Sequence, residues 1–389
     1  MKQMKAMMHM KKTSLGLFGK SIASHFWRRL GTLTNARRGQ KAFPKAVFFF
    51  MCFISFTAFM FQDKWVWTPL ETGVSATLRG VSAATASVVW ASGSRNTLLR
   101  SIDAGATWQK LASPTEDALD FRDVDAIDGR TAYALSIGDG PLSRIYKTTD
   151  AGGTWTLQFT NRDPKGFLDA MAFWDAEHGV AVGDSIDGAF FILTTEDGGR
   201  TWSRVPPDRL PAALPNEGAF AASGTNVTVV GRDHVWFGTG AAARARVLRS
   251  NDRGRTWAIA ETPLIAGASA GIYSVAFRDA MHGVIVGGDY AKETEAIDNV
   301  AVTQDGGRTW TLVKERGLAG FRSVVAFVPG SAASFVAVGP RGADLSTDDG
   351  RSWSAISGAG YHAFSFAPGG TTGWGVGGRG TAGRLVPTK

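Results

Sequence analysis

The sequence predicts an all-β fold, a seven-bladed β-propeller of four-stranded blades, on the strength of three observations. The pattern Ser/Thr-x-Asp-x-Gly-x-Thr/Ser-Trp occurs six times along the 389 residues, and its tryptophans are 47, 47, 55, 53 and 43 residues apart. Each interval has room for four short strands, and apolar stretches such as MAFWD and HGVAVGD recur at matching places within it. The chain also contains 48 glycines, as expected for many tight turns.

The repeated octapeptide is the Asp-box, also called the BNR repeat, and its residue types indicate a structural role. Its short carboxylate can accept hydrogen bonds from nearby backbone N–H groups, and its glycine tolerates positive φ, so together they close a hairpin. The tryptophan is then expected to cover the turn and pack on the neighbouring blade. The aspartates are Asp103, Asp150, Asp197, Asp252, Asp305 and Asp348, and the tryptophans are Trp108, Trp155, Trp202, Trp257, Trp310 and Trp353.

The blade count follows from two partial repeats at the ends of the box array. Residues 360–387 repeat the first three strands of a blade without a box, and residues 65–71 (WVWTPLE) resemble the strand that follows a box. Joining them completes a seventh blade and removes the exposed sheet edges. Six or eight blades are the alternatives.

The basic character of the chain is confined to its N-terminal part. Residues 1–45 form a leader with eleven basic residues and no acid, which leaves 31 basic and 34 acidic residues in the rest. The positive net charge therefore gives no argument for nucleic-acid binding by the folded part. We divide the chain into this leader, an apolar segment at 46–62 and the propeller at 63–389, which residues 65–71 close.

The segment AVFFFMCFISFTAFMF at 46–61 has no charge and is slightly shorter than a usual membrane span. Because basic residues precede it, the C-terminal part is expected across the membrane, in the periplasm or another extracytoplasmic space. An uncleaved signal-anchor is favoured over a cleaved signal peptide, although both remain open. The only cysteine, Cys52, lies within this segment, so no disulfide is expected in the exported part.

The ligand face is expected opposite the Asp-boxes, where the long loops 205–218 and 288–299 would lie. Alignment of the first strand of each blade predicts a ring at the channel mouth, composed of Arg79, Arg122, Leu168, Phe220, Tyr273, Arg322 and His362. Four of these form a basic crescent, and convergent guanidinium groups favour an anion or an acidic peptide. The alternative is that the arginines pair with Asp123 or Asp169 between blades. Further acids expected on this face are Asp184, Glu217 and Asp289.

The six boxes, the GVAVGD-type strands and the strand starts FRDV and FRSV resemble the photosystem II stability/assembly factor family over residues 65–387. The resemblance implies a seven-bladed propeller outside the cytoplasm whose arginine patch engages a membrane-protein precursor. The positions here that could carry that role are Arg79, Arg122 and Arg322. It further implies a non-enzymatic protein, here expected to be a monomer, that binds a protein or an acidic peptide.

Sialidases also carry Asp-boxes, so glycoside hydrolysis is the alternative function. Tyr273 and Glu217 could serve as a nucleophile pair, with Asp184 or Asp289 as the acid. The arginine elements Phe121-Arg122-Asp123-Val124 and Phe321-Arg322-Ser323-Val324 lack the proline of the sialidase motif. The sequence contains no Cys/His cluster and no nucleotide fingerprint, so no metal or cofactor is expected.

Overall fold

The computed structural model describes residues 65–388, which form 28 β-strands. The strands are, in chain order, β1 (Trp65–Glu71), β2 (Leu78–Ala83), β3 (Val89–Gly93), β4 (Thr97–Ser101), β5 (Gln109–Lys110), β6 (Asp120–Ala126), β7 (Ala132–Ile137), β8 (Arg144–Thr148), β9 (Thr156–Thr160), β10 (Leu168–Phe173), β11 (Gly179–Ile186), β12 (Ala189–Thr195), β13 (Ser203–Arg204), β14 (Val227–Val230), β15 (His234–Gly238), β16 (Arg246–Ser250), β17 (Ala258–Glu261), β18 (Ala270–Phe277), β19 (Gly283–Asp289), β20 (Val300–Thr303), β21 (Thr311–Leu312), β22 (Val324–Phe327), β23 (Phe335–Gly339), β24 (Gly342–Ser346), β25 (Ser354–Ile356), β26 (Ala363–Phe366), β27 (Gly373–Val376) and β28 (Thr381–Pro387).

Within these residues the strands form seven antiparallel sheets of four, which confirms the predicted number of blades. Blades 1 to 6 each use four consecutive strands, starting with β2 and ending with β25. The first strands of adjacent blades contact one another around the ring, so they line the centre. Apolar clusters fill the spaces between successive blades, which is how a radial fold buries both faces of each sheet.

Blade 7 is completed by the two ends of the described chain. Strand β1 pairs with β28 over seven residues, from Trp65 opposite Pro387 to Glu71 opposite Thr381, and the sheet order is β1-β28-β27-β26. Trp67 of β1 is 8% exposed and packs at 4.5 Å, between ring centroids, against Tyr361. The pairing supplies the outer strand that β28 would otherwise lack.

The six octapeptides form one turn, repeated in blades 1 to 6 between the third and fourth strands. In blade 3, Oδ1 of Asp197 accepts the backbone N–H of Thr201 at 2.9 Å, and Oδ2 accepts its hydroxyl at 2.7 Å. The Thr195 hydroxyl donates to Oδ1 at 2.9 Å and accepts the N–H of Gly199, whose φ is 81°. These bonds lower the pKa of Asp197, because they stabilise its charged form.

The boxes also join neighbouring blades. The Tyr133 hydroxyl of blade 2 donates to the carbonyl of Gly198 in the box of blade 3, at 2.8 Å. Trp236 of blade 4 makes the corresponding bond with Gly306 of blade 5, and Trp374 of blade 7 makes it with Ala104 of blade 1. The box therefore stabilises the contact between blades as well as its own turn.

The antiparallel order places the boxes and the channel mouth on opposite faces. Box residues Gly198 and Gly306 bond to carbonyls of Glu177 and Met281, which lie in the turns between the first and second strands. Since all four strands alternate in direction, the remaining loops and the start of each first strand lie on the other face, which we call the mouth face. Loops 205–218 and 288–299 are on that face, as the sequence predicts.

The register of the first strands differs from the sequence alignment in blades 3, 4 and 6. In blade 3, Leu168 pairs with Gly183 and Ala170 with Val182, so Asp169 occupies the bulge that Arg79 and Arg122 occupy in blades 1 and 2. Leu168 is buried in the core instead of facing the mouth. In blade 4 the first strand begins at Val227, so the segment 218–222 containing Phe220 precedes the strand. In blade 6, Gly339 lies against Arg322 as Gly93 lies against Leu78, so Ser323 and not Arg322 is at the position of Arg79.

The basic leader and the apolar segment at 46–62 lie outside the described residues. Among residues 65–388, no helix is both long enough and apolar enough to cross a membrane.

Candidate binding site at the channel mouth

Bulges near the start of the first strands set the geometry of the mouth. A bulge adds one residue to a strand and redirects its side chain, which is a common device near binding sites. Arg79, Arg122, Asp169 and Tyr273 occupy these positions in blades 1, 2, 3 and 5. In the sequence, each of these bulges lies in a pattern of four residues, as in Leu78-Arg79-Gly80-Val81. The first and fourth residues are apolar, the second is variable and occupies the bulge, and the third is small or an aspartate.

Of the three arginines predicted at the mouth, Arg79 is the one whose guanidinium is not paired with another group. It makes no hydrogen bond or ion pair within residues 65–388, and its Nε is buried without a partner. Burial, followed by the charge of Arg122, lowers the pKa of Arg79 to about 10, while Asp120 and Glu293 act in the opposite direction. The group therefore stays cationic near neutral pH and has donors available for an anion.

Arg122 is positioned by its own strand and by blade 4. Its Nε and Nη2 each lie 2.8 Å from Oδ2 of Asp120, and its Nη1 donates to the carbonyl of Ala221 at 3.0 Å. Its side chain is 18% exposed. Its ion-pair partner is thus Asp120, and neither Asp123 nor Asp169 of the sequence-based alternative.

Arg322 does not contribute an open guanidinium to the crescent. It is 3% exposed, and its Nε and Nη2 both lie 2.6 Å from Oδ2 of Asp344 on β24. Its Nη1 donates to the carbonyl of Phe321 at 2.9 Å. This buried pair supports the start of blade 6 and leaves little of Arg322 for a ligand.

His362 begins blade 7 beside Arg79 of blade 1. Its Nδ1 is buried and has no hydrogen-bond partner, and the hydroxyl of Ser323 donates to its carbonyl at 2.7 Å. Burial lowers the pKa of His362 to about 4, and the charges of Arg79 and Arg122 contribute to the same shift. The ring is therefore neutral near pH 7 in the unliganded protein.

An aromatic cluster lies opposite these cationic groups. Phe220 and Tyr273 stack with ring centroids 4.0 Å apart and an interplanar angle of 6°, and Phe321 meets Tyr273 edge-on at 4.6 Å. Tyr273 is 2% exposed, and its hydroxyl donates to the carbonyl of Ser269 at 2.9 Å. Sequence reasoning identified Phe220 and Tyr273 but missed Phe321, which directly precedes the aligned position.

The structure does not assemble Tyr273 and Glu217 as a nucleophile pair. Glu217 is 1% exposed and forms an ion pair with Arg246, and it also accepts hydrogen bonds from Thr239 Oγ1 and Leu214 N. Asp289 accepts from Ser269 Oγ at 2.7 Å and from the backbone of Ala291 at 2.9 Å. Glu217 thus anchors loop 205–218 and Asp289 caps a turn of loop 288–299.

Two acids of blade 3 form a separate feature near Arg122. Asp169 is 1% exposed, and burial, followed by the charge of Asp184, raises its pKa well above the usual range. Burial raises the pKa of Asp184 to about 6, and its Oδ1 accepts the N–H of Ala219 at 3.0 Å. The neighbouring Asp123 instead accepts the N–H of Met171 and so links blades 2 and 3.

No group of three or more His, Cys, Asp or Glu side chains among residues 65–388 is arranged to hold a metal ion. Surface cavities of about 360 Å³ and 430 Å³ lie at the rim, beside Arg204 in blade 3 and beside Lys314 in blade 5. Neither is lined by the residues of the mouth.

Comparison with known proteins places the fold among characterised propellers. No protein-family model and no curated protein matches the sequence. A solved structure described as YCF48 bound to D1 peptide is similar at TM-score 0.59 and 16% identity, over 84% of this chain and 100% of that one. YCF48 from Cyanidioschyzon merolae gives 0.57 and 16%, over 82% of this chain and 98% of that one.

Xyloglucanases of glycoside hydrolase family GH74 share the architecture as well. The enzyme from Xanthomonas campestris gives TM-score 0.55 and 14% identity over 82% of this chain, which spans 53% of the enzyme. The chain thus resembles YCF48 over all or nearly all of the length of the two YCF48 structures, and the xyloglucanase over about half of its length. At these identities the similarity establishes the seven-bladed propeller fold.

Proposed function

We propose that the protein is a non-enzymatic, extracytoplasmic binding protein that holds an acidic segment of a protein partner at the mouth and assists membrane-protein assembly. The observation that carries this proposal is Arg79, a guanidinium with a buried, unpartnered Nε beside Arg122 and His362. An acidic side chain could satisfy its donors, and a charge-assisted bond of this kind is about twice as strong as a neutral one.

The aromatic cluster supports the same proposal. Phe220 and the 38%-exposed Tyr290 lie beside the buried Tyr273, so apolar surface adjoins the cationic side of the mouth. Interfaces commonly place aromatic and arginine side chains together at their centre. The fold similarity to a YCF48 structure that contains a D1 peptide is further support for a peptide or protein as the ligand.

The export and membrane parts of the proposal rest on the sequence alone. The basic leader and the apolar segment at 46–61 favour an anchor in the inner membrane or a signal that is removed after export. In either case the mouth would meet its partner outside the cytoplasm.

A photo-crosslinking comparison between the two faces tests the proposal. A crosslinking amino acid replaces Leu142, 45% exposed on the mouth face, or Ile102, 63% exposed in a box. We expect the crosslinker at position 142 to capture one discrete membrane protein, and the crosslinker at position 102 to capture none. Arg79→Gln should abolish the capture from position 142. Crosslinking of one partner from position 102 alone would contradict binding at the mouth.

Glycoside hydrolysis is a second candidate because of Asp169 and Asp184, two carboxyl groups of elevated pKa in one blade. Glycosidases use such a pair as acid and base or nucleophile. Assays with aryl glycosides, fluorogenic sialosides and xyloglucan oligosaccharides test this candidate. Turnover that disappears on Asp184→Asn would favour hydrolysis, and absence of turnover on all three substrate classes would argue against it.

A further inference from the structure

Two nitrogen atoms at the junction of blades 7 and 1 lack partners. Nε of Arg79 and Nδ1 of His362 are both buried and unpaired within the described chain. The two side chains are close enough for the charge of Arg79 to lower the pKa of His362. Nε of Arg100, Arg249 and Arg384 is also buried without a partner. In the part of the chain that the structure describes, however, only at this junction does such an arginine act on a histidine whose own ring nitrogen is buried and unpaired. Because buried polar atoms are mostly paired in folded proteins, the two together favour a place for a ligand atom.

Burial, and after it the charge of Arg79, lowers the pKa of His362 and keeps its ring neutral without a ligand. Arg79 and Arg122 face it from blades 1 and 2, and both disfavour a third cation at this point. The segment 378–380, which borders the ring, carries a further arginine, Arg379. Arg322 of the adjacent blade 6 is already neutralised by Asp344. No acid contributes to the pKa shift of His362, so a bound anion would be the group that raises this pKa.

We infer that an anion bound beside Arg79 is accompanied by a proton taken from solvent onto Nδ1 of His362, so the mouth binds acidic groups more tightly in mildly acidic solution. This inference rests on the proposed function and concerns how the same site is regulated. A hydrogen bond to the Leu78 backbone acts to raise the pKa of His362, and because Nδ1 has no partner this bond involves Nε2. The neutral ring then carries its hydrogen on Nε2, so Nδ1 presents a lone pair that repels an anion, whereas the protonated Nδ1 becomes a donor. The anion in turn offsets the repulsion from Arg79 and Arg122.

The direction of the pH dependence follows from linkage. The pKa of His362 is about 4 in the free protein, and an anion beside the ring would raise it in the complex. At any pH between these two pKa values, binding of the anion is therefore accompanied by uptake of a proton. Affinity then rises as pH falls through the pKa of the complex, by about tenfold per pH unit, and levels off near the pKa of the free protein.

Sulfate is a suitable probe because it remains a dianion throughout this pH range. We would titrate the full chain in detergent with sulfate by calorimetry between pH 4.5 and 7.5, in two buffers of different ionisation enthalpy. Wild type should bind sulfate at least about tenfold more tightly at pH 5 than at pH 7. It should take up close to one proton per bound sulfate at a pH between the pKa of His362 in the free protein and its pKa in the complex. His362→Gln should take up no proton on binding, and its sulfate affinities at pH 5 and pH 7 should differ by less than about twofold.

The outcomes distinguish the inference from the proposed function. Sulfate affinity that is equal at pH 5 and pH 7, or proton uptake that persists in His362→Gln, would overturn the coupling and leave the anion site in place. An absence of sulfate binding at every pH would overturn the anion site itself. The crosslinking comparison between positions 142 and 102 would still decide whether the mouth binds a protein.

Discussion

The guanidinium of Arg322 and the carboxylate of Asp344 form a buried ion pair, with Nε and Nη2 both 2.6 Å from Oδ2 and both side chains 4% exposed. Arg79, the arginine of blade 1 that the sequence aligns with Arg322, has no acidic hydrogen-bond or ion-pair partner within residues 65–388. Two arginines that look equivalent in the sequence therefore have different surroundings, since one is paired within its blade and the other has unpaired donors.

The first prediction follows from that difference. Arg322→Ala should lower the free energy of unfolding by about 3–5 kcal/mol, because it leaves the Asp344 carboxylate buried without a counter-charge. Arg79→Ala should change it by less than about 1 kcal/mol, because no acidic partner is left behind. Urea denaturation followed by tryptophan fluorescence measures both. Equal losses in the two variants would contradict the assigned roles.

Closure of the ring by β1 gives the second prediction. Trp67→Ala removes a ring that packs on Tyr361 and Phe364, and should lower the free energy of unfolding by about 3–5 kcal/mol. Hydrogen exchange should show faster exchange of the β28 amides first. Val66→Ala on the same strand is the control, since Val66 is 43% exposed and should have little effect. Unchanged β28 exchange in Trp67→Ala would count against closure by β1.

The Asp-box gives the third prediction, which separates stability from binding. Asp197→Ala removes the acceptor for Thr201 N–H, Thr201 Oγ1 and Thr195 Oγ1, and should cost about 1–3 kcal/mol. Asp197→Asn should cost less, because its amide oxygen can still accept the Thr201 N–H. Affinity for an acidic peptide should stay at the wild-type value in both variants. Selective loss of binding in a stable Asp197→Ala protein would mean that the box has a functional role.

Asp125 gives the fourth prediction, on pH dependence. Its Oδ2 accepts the N–H of Phe173 across the boundary of blades 2 and 3, and burial raises its pKa to about 6 from 3.8. The folded protein thus binds this proton more tightly than the unfolded chain does. The corresponding stability is fully present below about pH 4 and is lost as pH rises through 6.

Asp125→Asn keeps a hydrogen-bond acceptor and removes the titration. Its stability relative to wild type should therefore increase between pH 4 and pH 7, by on the order of 2 kcal/mol, and then stay level. Ser82 and Ser365 make the corresponding bonds in blades 1 and 7, so a neutral acceptor fits this position. A pH-independent difference between the two proteins would show that Asp125 is not responsible.

Local features of this fold could be predicted from the sequence, because the Asp-box closes its hydrogen bonds within eight residues. Asp197, Gly199 and Thr201 define the turn by themselves, and the spacing of six copies fixes the number of blades once the partial repeats at 65–71 and 360–387 are joined. The face of the mouth followed from the strand order alone.

The partners at the mouth could not be predicted, because they depend on register and on distant contacts. In blade 3 the register is shifted by one residue, so Asp169 and not Leu168 occupies the bulge at the mouth. Alignment by sequence similarity did not detect this bulge. Asp344 lies 22 residues from Arg322, and Arg246 lies 29 residues from Glu217. Such pairings form only when strands of one blade, or a loop and a strand, come together.

The most direct test of the central claim is the affinity of the full chain for an acidic peptide, measured by fluorescence anisotropy at pH 7 and moderate salt. The account predicts that Arg79→Gln weakens binding by at least about tenfold, consistent with loss of a charge-assisted bond. Arg308→Gln, the same change on an exposed box residue of the opposite face, should bind like wild type. Equal affinities of wild type and Arg79→Gln, or a loss confined to Arg308→Gln, would contradict binding at the mouth.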